Sequence, residues 1–251
     1  MHKESEAMPE PDLPDMPYDF INGTTLLINK PKDWTSFDVV NKIRYRLKKL
    51  LGVKNIKVGH AGTLDPMATG LLIICTGKST RLLADFQGLD KTYTGALRLG
   101  ATTPSYDAET EIDETFPFNH ITPEDLEAAR HSLTGPLEQA PPMFSAIKVD
   151  GQPLYKKARK GETIAVQARP VNILAFDLHR IDLPDVDFFV HCSKGTYIRS
   201  LAYDFGRALG SGAYLTALCR TSIGPYDLKD AWNLDDFLTM LDGYDPHHIS
   251  K

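Results

Sequence analysis

The apolar residues of this chain follow two incompatible periods. Val39, Val40, Ile43, Leu47, Leu50 and Leu51 recur at helical spacing, whereas Tyr93, Gly95, Leu97 and Leu99 alternate on one face of a strand, which points Tyr93 inward. Helices and strands must therefore share a core. With no internal repeat in 251 residues, the expected fold is one mixed α/β (α+β) unit, helices packed on a sheet. The first helix is predicted with Thr35 or Ser36 as N-cap, Asp38 in its first turn and Gly52 at its end. A second opens at Thr122-Pro123-Glu124-Asp125, closes at Gly135 and buries Leu126, Ala129 and Leu133; a third follows the turn 193–196 and buries Ile198, Leu201, Ala202, Phe205 and Leu209. Strand-like runs cover 24–29, 71–75, 92–99, 163–168, 171–178 and 186–192.

Charge is unevenly spread. Residues 1–20 hold one Lys against six acids and 221–251 two against six, so the net charge of −5 conceals +4 over 21–220. The Pro-, Glu- and Asp-rich start is expected to be a disordered tail over 1–20, with the folded part beginning near Ile21. Residues 30–57 count nine basic against two acidic side chains, and Lys42, Arg44, Arg46, Lys48 and Lys49 lie on the outer face of the first helix. Such a face attracts phosphates, although a merely solvated amphipathic helix has the same pattern. Residues 139–161 set Phe144 and Tyr155 among Lys148, Lys156, Lys157, Arg159 and Lys160, opposed only by Asp150.

No apolar run approaches the roughly 20 residues that cross a bilayer, and the start has no secretory h-region, so the cytoplasm is the expected compartment. Cys75, Cys192 and Cys219 form no Cys-x-x-Cys pair and read as buried free thiols; no His-x-x-x-His is present, and no metal is expected.

Two short motifs invite chemistry. Gly77-Lys78-Ser79 matches the end of a phosphate-binding loop, but the glycine needed five residues earlier is Leu72, inside an apolar strand, so the cradle cannot form. Asp65 sits between Leu64 and Pro66 in a Gly- and Thr-rich loop after a basic stretch, a place where a carboxylate can face a ligand from a rigid frame. Asp-Pro is equally a common turn former, and local sequence leaves both readings open.

The run Lys57-Val58-Gly59-His60-Ala61-Gly62-Thr63-Leu64-Asp65-Pro66, followed by Ala68-Thr69-Gly70-Leu71-Leu72, resembles the signature of TruB-type pseudouridine synthases. Further segments agree in order: Asn29-Lys30-Pro31 with Ser36, Lys91-Thr92-Tyr93, Pro141-Pro142-Met143-Phe144-Ser145-Ala146, Tyr155 with Ala158-Arg159, and Lys194-Gly195-Thr196-Tyr197-Ile198-Arg199-Ser200-Leu201. The resemblance covers most of 24–224.

It implies the pseudouridine-synthase fold, a central mixed and mostly antiparallel sheet flanked by helices, in one catalytic domain over 21–230 with an RNA-gripping insertion at about 100–162. It implies isomerisation of uridine to pseudouridine at position 55 in the T loop of tRNA, without cofactor or obligatory protein partner. Asp65 matches the family's essential aspartate, Arg199 the arginine that pairs with it, and Tyr93 the tyrosine that stacks on the flipped uracil. His60 matches the residue that takes the place of the extruded base, and Tyr197 a second pocket tyrosine. Lys30, Lys148, Lys156, Lys157 and Arg159 are the expected further substrate contacts. Many TruB-like proteins carry a C-terminal PUA domain; here 231–251 suggests only a short helix, from Leu234, Phe237, Leu238 and Leu241, and a tail. The competing readings are a guide-RNA-dependent, dyskerin-like synthase and a non-catalytic T-arm-binding chaperone.

Overall fold

The computed structural model describes residues 17–145, 148–149, 152–154, 157, 164 and 166–244. In chain order the elements are β1 (Thr25–Lys30), α1 (Ser36–Leu50), β2 (Val58–Ala61), β3 (Thr69–Thr76), a 3-10 turn (Gly77–Leu82), α2 (Leu83–Gly88) and β4 (Lys91–Leu99). The short β5 (Ala101–Thr102) and β6 (Glu114–Thr115), α3 (Pro123–Ser132), β7 (Gly135–Gln139) and the small hairpin β8 (Lys148–Val149) and β9 (Gln152–Pro153) follow. The chain continues through β10 (Arg169–Asp182), β11 (Asp185–Cys192), α4 (Ile198–Ala208), β12 (Ala213–Ile223), β13 (Tyr226–Asp227), β14 (Trp232–Asn233) and α5 (Leu234–Gly243).

One ten-stranded sheet organises the molecule in the order β14-β1-β3-β12-β4-β11-β10-β7, with β2 on β3 and β13 on β12. Its pairs are antiparallel except β1–β14 and β3–β12. The β3–β12 seam, Thr69 beside Cys219 and Gly70 beside Arg220, joins two half-sheets. Leu72 and Ile74 of β3 pack with Phe20, α1 and α5 on one face, while Leu71, Ile73 and Cys75 pack on the other with Ile223, against Leu83 and Phe86 of α2. Burial on both faces is why β3 reads as an unbroken apolar run. On the other half-sheet, Leu97, Phe176, Phe188 and Val190 pack against Leu126 and Ala129 of α3 and Ile198, Leu201 and Phe205 of α4.

The N-caps are where local sequence puts them, whereas α3 ends at Ser132 and the expected stop, Gly135, instead opens β7. Thr35 Oγ1 accepts from Asp38 N at 3.0 Å and Asp38 accepts from Thr35 N at 2.9 Å, and Thr122 and Asp125 repeat the device on α3.

Four expectations change. Packed structure starts before Ile21, because Phe20 is buried against Phe237 and Tyr18 packs on the same cluster; residues 1–16 lie outside the described residues. Of the strand expected over 163–168, residues 164 and 166–168 have no strand pairing, and Thr163 and Ala165 are outside the described residues. The C-terminal segment joins the sheet through β14, beside β1, before α5 begins. The long β12, absent from the sequence reading, is the strand that unites the halves.

Candidate active site

Asp65 lies on the turn between β2 and β3, and that turn is clamped from several sides. Leu64 N donates to Ser36 Oγ at 2.8 Å, and the same hydroxyl donates to Leu64 O at 3.2 Å. Pro66 O accepts from Asp33 N at 2.8 Å and from Lys30 Nζ at 3.2 Å. Glu109 Oε1 accepts from Met67 N at 2.9 Å. The carboxylate itself is 35 % exposed.

Arg199, in the first turn of α4, is almost fully buried. Its Nη2 donates to Asp65 Oδ1 at 3.0 Å, and its Nε lies 2.9 Å from Oδ2, an ionic contact whose N–H is not well aimed. Nη1 donates to Ser105 O at 3.0 Å and Nη2 also to Phe144 O at 2.8 Å. One guanidinium thus ties the Asp65 turn to two loops, a fork that a lysine cannot reproduce. Behind it is Asp107, 1 % exposed, with Oδ2 3.4 Å from Arg199 Nε and Oδ1 accepting from Ser105 Oγ. Burial pushes the Asp107 carboxyl up, against the pull of Ser105 and Arg199, and burial likewise raises Glu109.

A cleft of about 640 Å³ opens here, lined by Asp65, Tyr93, Tyr197, Arg199, Leu218 and Arg220, with Lys91, Arg169 and Lys194 adding positive charge. Its size suits a nucleotide-sized ligand. Tyr93 is buried at the start of β4, and burial pushes its phenol up. Tyr197 precedes α4, held by Gln139, which accepts from Tyr197 N at 2.7 Å and donates to Tyr197 O at 3.1 Å. Burial raises the Tyr197 phenol also. Both phenols stay neutral at physiological pH.

Sequence reasoning missed Asp107, Glu109 and Arg220. Arg220 on β12 is 1 % exposed; its Nε donates to Leu71 O at 2.8 Å and Nη2 to Gly62 O at 3.0 Å, and it stands opposite Tyr93 across the β4–β12 pair. A lone arginine between Leu218, Cys219 and Ile223 was the available signal, since a charge inside an apolar strand needs a partner.

Lys30 requires a correction. Expected as a substrate contact, it is fully buried, and its Nζ donates to Pro31 O, Trp34 O and Pro66 O at 2.8, 2.6 and 3.2 Å. It braces the Asp65 turn from behind and has no surface to offer a ligand. His60 lies half-buried on β2, with burial lowering its pKa and, among the described residues, no hydrogen-bond partner for Nδ1. Lys157 is half-buried. Lys156, Arg159, Lys160 and Tyr155 lie outside the described residues, as does the side chain of Lys148. Cys75 and Cys192 are buried free thiols and Cys219 is half-buried. Among the described residues no group of three or more His, Cys, Asp or Glu side chains is placed to hold a metal ion, and no helix is long and apolar enough to cross a membrane.

Known proteins match this chain in sequence and in fold. Residues 48–198 match the family model described as TruB family pseudouridylate synthase (N terminal domain), and residues 199–249 that of the tRNA pseudouridylate synthase B C-terminal domain. The two models meet at Arg199, yet the sheet runs across the boundary, since β12 lies between β3 and β4. The tRNA pseudouridine synthase B of Flavobacterium johnsoniae is 54 % identical over 226 residues, covering 90 % of this chain and 99 % of the relative. That of Phocaeicola vulgatus is 53 % identical, covering 89 % and 95 %. Among solved structures, a chain of a Cbf5-Nop10-Gar1 complex superposes with a TM-score of 0.66 at 27 % identity, over 94 % of this chain but 61 % of that one. With family models matched along most of its length and curated relatives at half identity or better, this chain belongs to the TruB family of pseudouridylate synthases.

Proposed function

We propose that this chain isomerises uridine to pseudouridine in tRNA, at position 55 of the T loop, acting alone and without cofactor. The observation that carries the reading is the Arg199 fork on Asp65 inside a cleft whose wall includes Tyr93. The compartment that follows is the cytoplasm.

The reaction breaks the C1′–N1 bond, turns the uracil, joins C5 to C1′, and moves the C5 proton so that N1 gains one; every atom is kept. Among the described residues, Asp65 is the one carboxylate held in the cleft by Arg199 yet open to it. It acts on the ribose, either by bonding to C1′ as the uracil leaves or by accepting the C2′ proton so that a glycal forms. Arg199 aims it by both oxygens. Tyr93 stacks on the extruded base. Its raised phenol pKa makes it a poor resting base, which supports stacking over proton abstraction. Tyr197 closes the pocket from α4, and His60 fills the gap left in the RNA; flipping costs a few kcal/mol, and a stacked ring returns roughly 1–3 kcal/mol. Lys148, Lys156, Lys157 and Arg159 meet T-arm phosphates.

Two features favour this over a guide-RNA-dependent assembly. The tRNA synthases match at about half identity over nearly their whole length, whereas the Cbf5 chain matches at 27 % over 61 % of its own. A test is incubation of the purified protein with an unmodified tRNA transcript and no other RNA or protein, scoring pseudouridine. Wild type is expected to convert one uridine, and Asp65→Asn to bind the transcript without converting it. An active Asp65→Asn protein would remove Asp65 from the chemistry; a wild type that binds but never converts would favour a chaperone.

A further inference from the structure

The outer face of α1 plays no part in the cleft. Val39, Val40, Ile43, Leu47 and Leu50 turn to the core, and at 100° per residue Tyr45 stands opposite them, 67 % exposed. Lys42 and Lys48 are exposed on either side of it, and Phe37, 61 % exposed, lies two turns back. Arg44 and Arg46 are turned inward: Arg44 donates to Asn41 Oδ1 and Val58 O, each at 2.7 Å, and Arg46 pairs with Asp242. At the start of the helix, Trp34, Asn41, Lys42 and Tyr45 line a shallow depression of about 480 Å³. Asp33 and Asp38 also border it, but Asp38 is engaged with Thr35.

Single exposed aromatics are ordinary. Here the rings share one face with the exposed Lys42 and Lys48; of the nine basic side chains over 30–57, Lys30 is buried and Arg44 and Arg46 are engaged elsewhere, so the lysines supply the charge of this face. That combination fits unpaired nucleic acid, whose bases stack on rings and whose phosphates meet ammonium groups. The N-terminus of α1 lies beside the Asp65 turn, because Asp33 N bonds to Pro66 O and the buried Ser36 Oγ to Leu64, the neighbours of Asp65. From there α1 runs about 22 Å over its 15 residues, well beyond a single nucleotide.

We propose that the solvent face of α1 is a second RNA-contact surface, which takes unpaired nucleotides of the substrate tRNA outside the T arm: a base stacks on Tyr45 over the Trp34 depression, and flanking phosphates meet Lys42 and Lys48. The inference rests on the reading of the chain as a tRNA-modifying enzyme. It is tested with Tyr45→Ala, Tyr45→Phe and the double variant Lys42→Ala/Lys48→Ala, each measured against a full-length tRNA transcript and an isolated T-arm hairpin. Tyr45→Ala should weaken tRNA binding about ten-fold, the loss of one stacked base, and Tyr45→Phe should restore it. The lysine variant should flatten the slope of log affinity against log salt by about 1.5. Hairpin binding, kcat at saturating tRNA and thermal stability should match wild type in all three. Wild-type tRNA affinity in Tyr45→Ala, an unaltered salt slope in the lysine variant, or equal losses on hairpin and tRNA would each overturn the proposal. A wild type that binds tRNA but forms no pseudouridine refutes the enzymatic reading instead, and the binding comparison still decides this one.

Discussion

Arg199 shows how much one side chain carries. It meets both oxygens of Asp65, two loop carbonyls and the edge of Asp107 while 4 % exposed. Arg199→Lys keeps the charge but not the fork, so kcat is expected to fall by about 10²-fold with KM little changed, the scale of loss from a misplaced reacting group; single-turnover assays would measure it. Lys30 acts more remotely. Lys30→Met leaves the carbonyls of Pro31 and Trp34 without this donor and removes one of two donors from Pro66, so a loss of about 2 kcal/mol in urea unfolding is expected. The pH dependence has a definite sign. Burial lowers the Lys30 ammonium from 10.5 to about 8, so between those values the unfolded chain holds a proton that the folded one has released. Stability from Lys30 therefore rises across that window, and the margin of wild type over Lys30→Met should widen with it. Of these two residues only Arg199 had a role legible in sequence, through its motif. Lys30 shared a motif too, but whether a lysine points at solvent or at three carbonyls depends on what packs above it.

Elements with complete local signals were the readable ones. The capped α1 and α3 and the alternating β4 carry their own instructions within a dozen residues. β12 does not, because it is bent by register shifts between Leu215 and Ala217 and between Arg220 and Ser222, which break the alternation a reader would look for. The β3–β12 seam yields a sharp expectation. Gly70 has φ +106°, and a Cβ there would lie 2.3 Å from Arg220 O and 2.6 Å from Arg220 N. Gly70→Ala should push β12 off β3, costing about 3 kcal/mol or more in chemical denaturation. Arg220 would shift with its strand, so activity should fall further than the stability loss explains.

At the scale of the molecule, the C-terminal segment closes the core. Leu234, Phe237, Leu238 and Leu241 of α5 pack with Phe20, Ile28, Val40 and Leu72, and Arg46 pairs with Asp242. A chain ending at residue 231 would leave that apolar face open, and we expect cooperative unfolding to shift to markedly lower urea, with association of the truncated protein visible by light scattering. The sequence by itself determined the class of fold, the N-caps of α1 and α3, the family and the place of Asp65 in a loop before β3, because each is written in neighbouring residues or in one long motif. Only the tertiary structure decided that Asp107 backs Arg199, that Arg220 is buried in the cleft wall, and that Lys30 faces inward. The physical reason is that these are facts about which groups lose water together, and burial of a charge is set by chain segments far apart in sequence that meet only when the sheet is assembled.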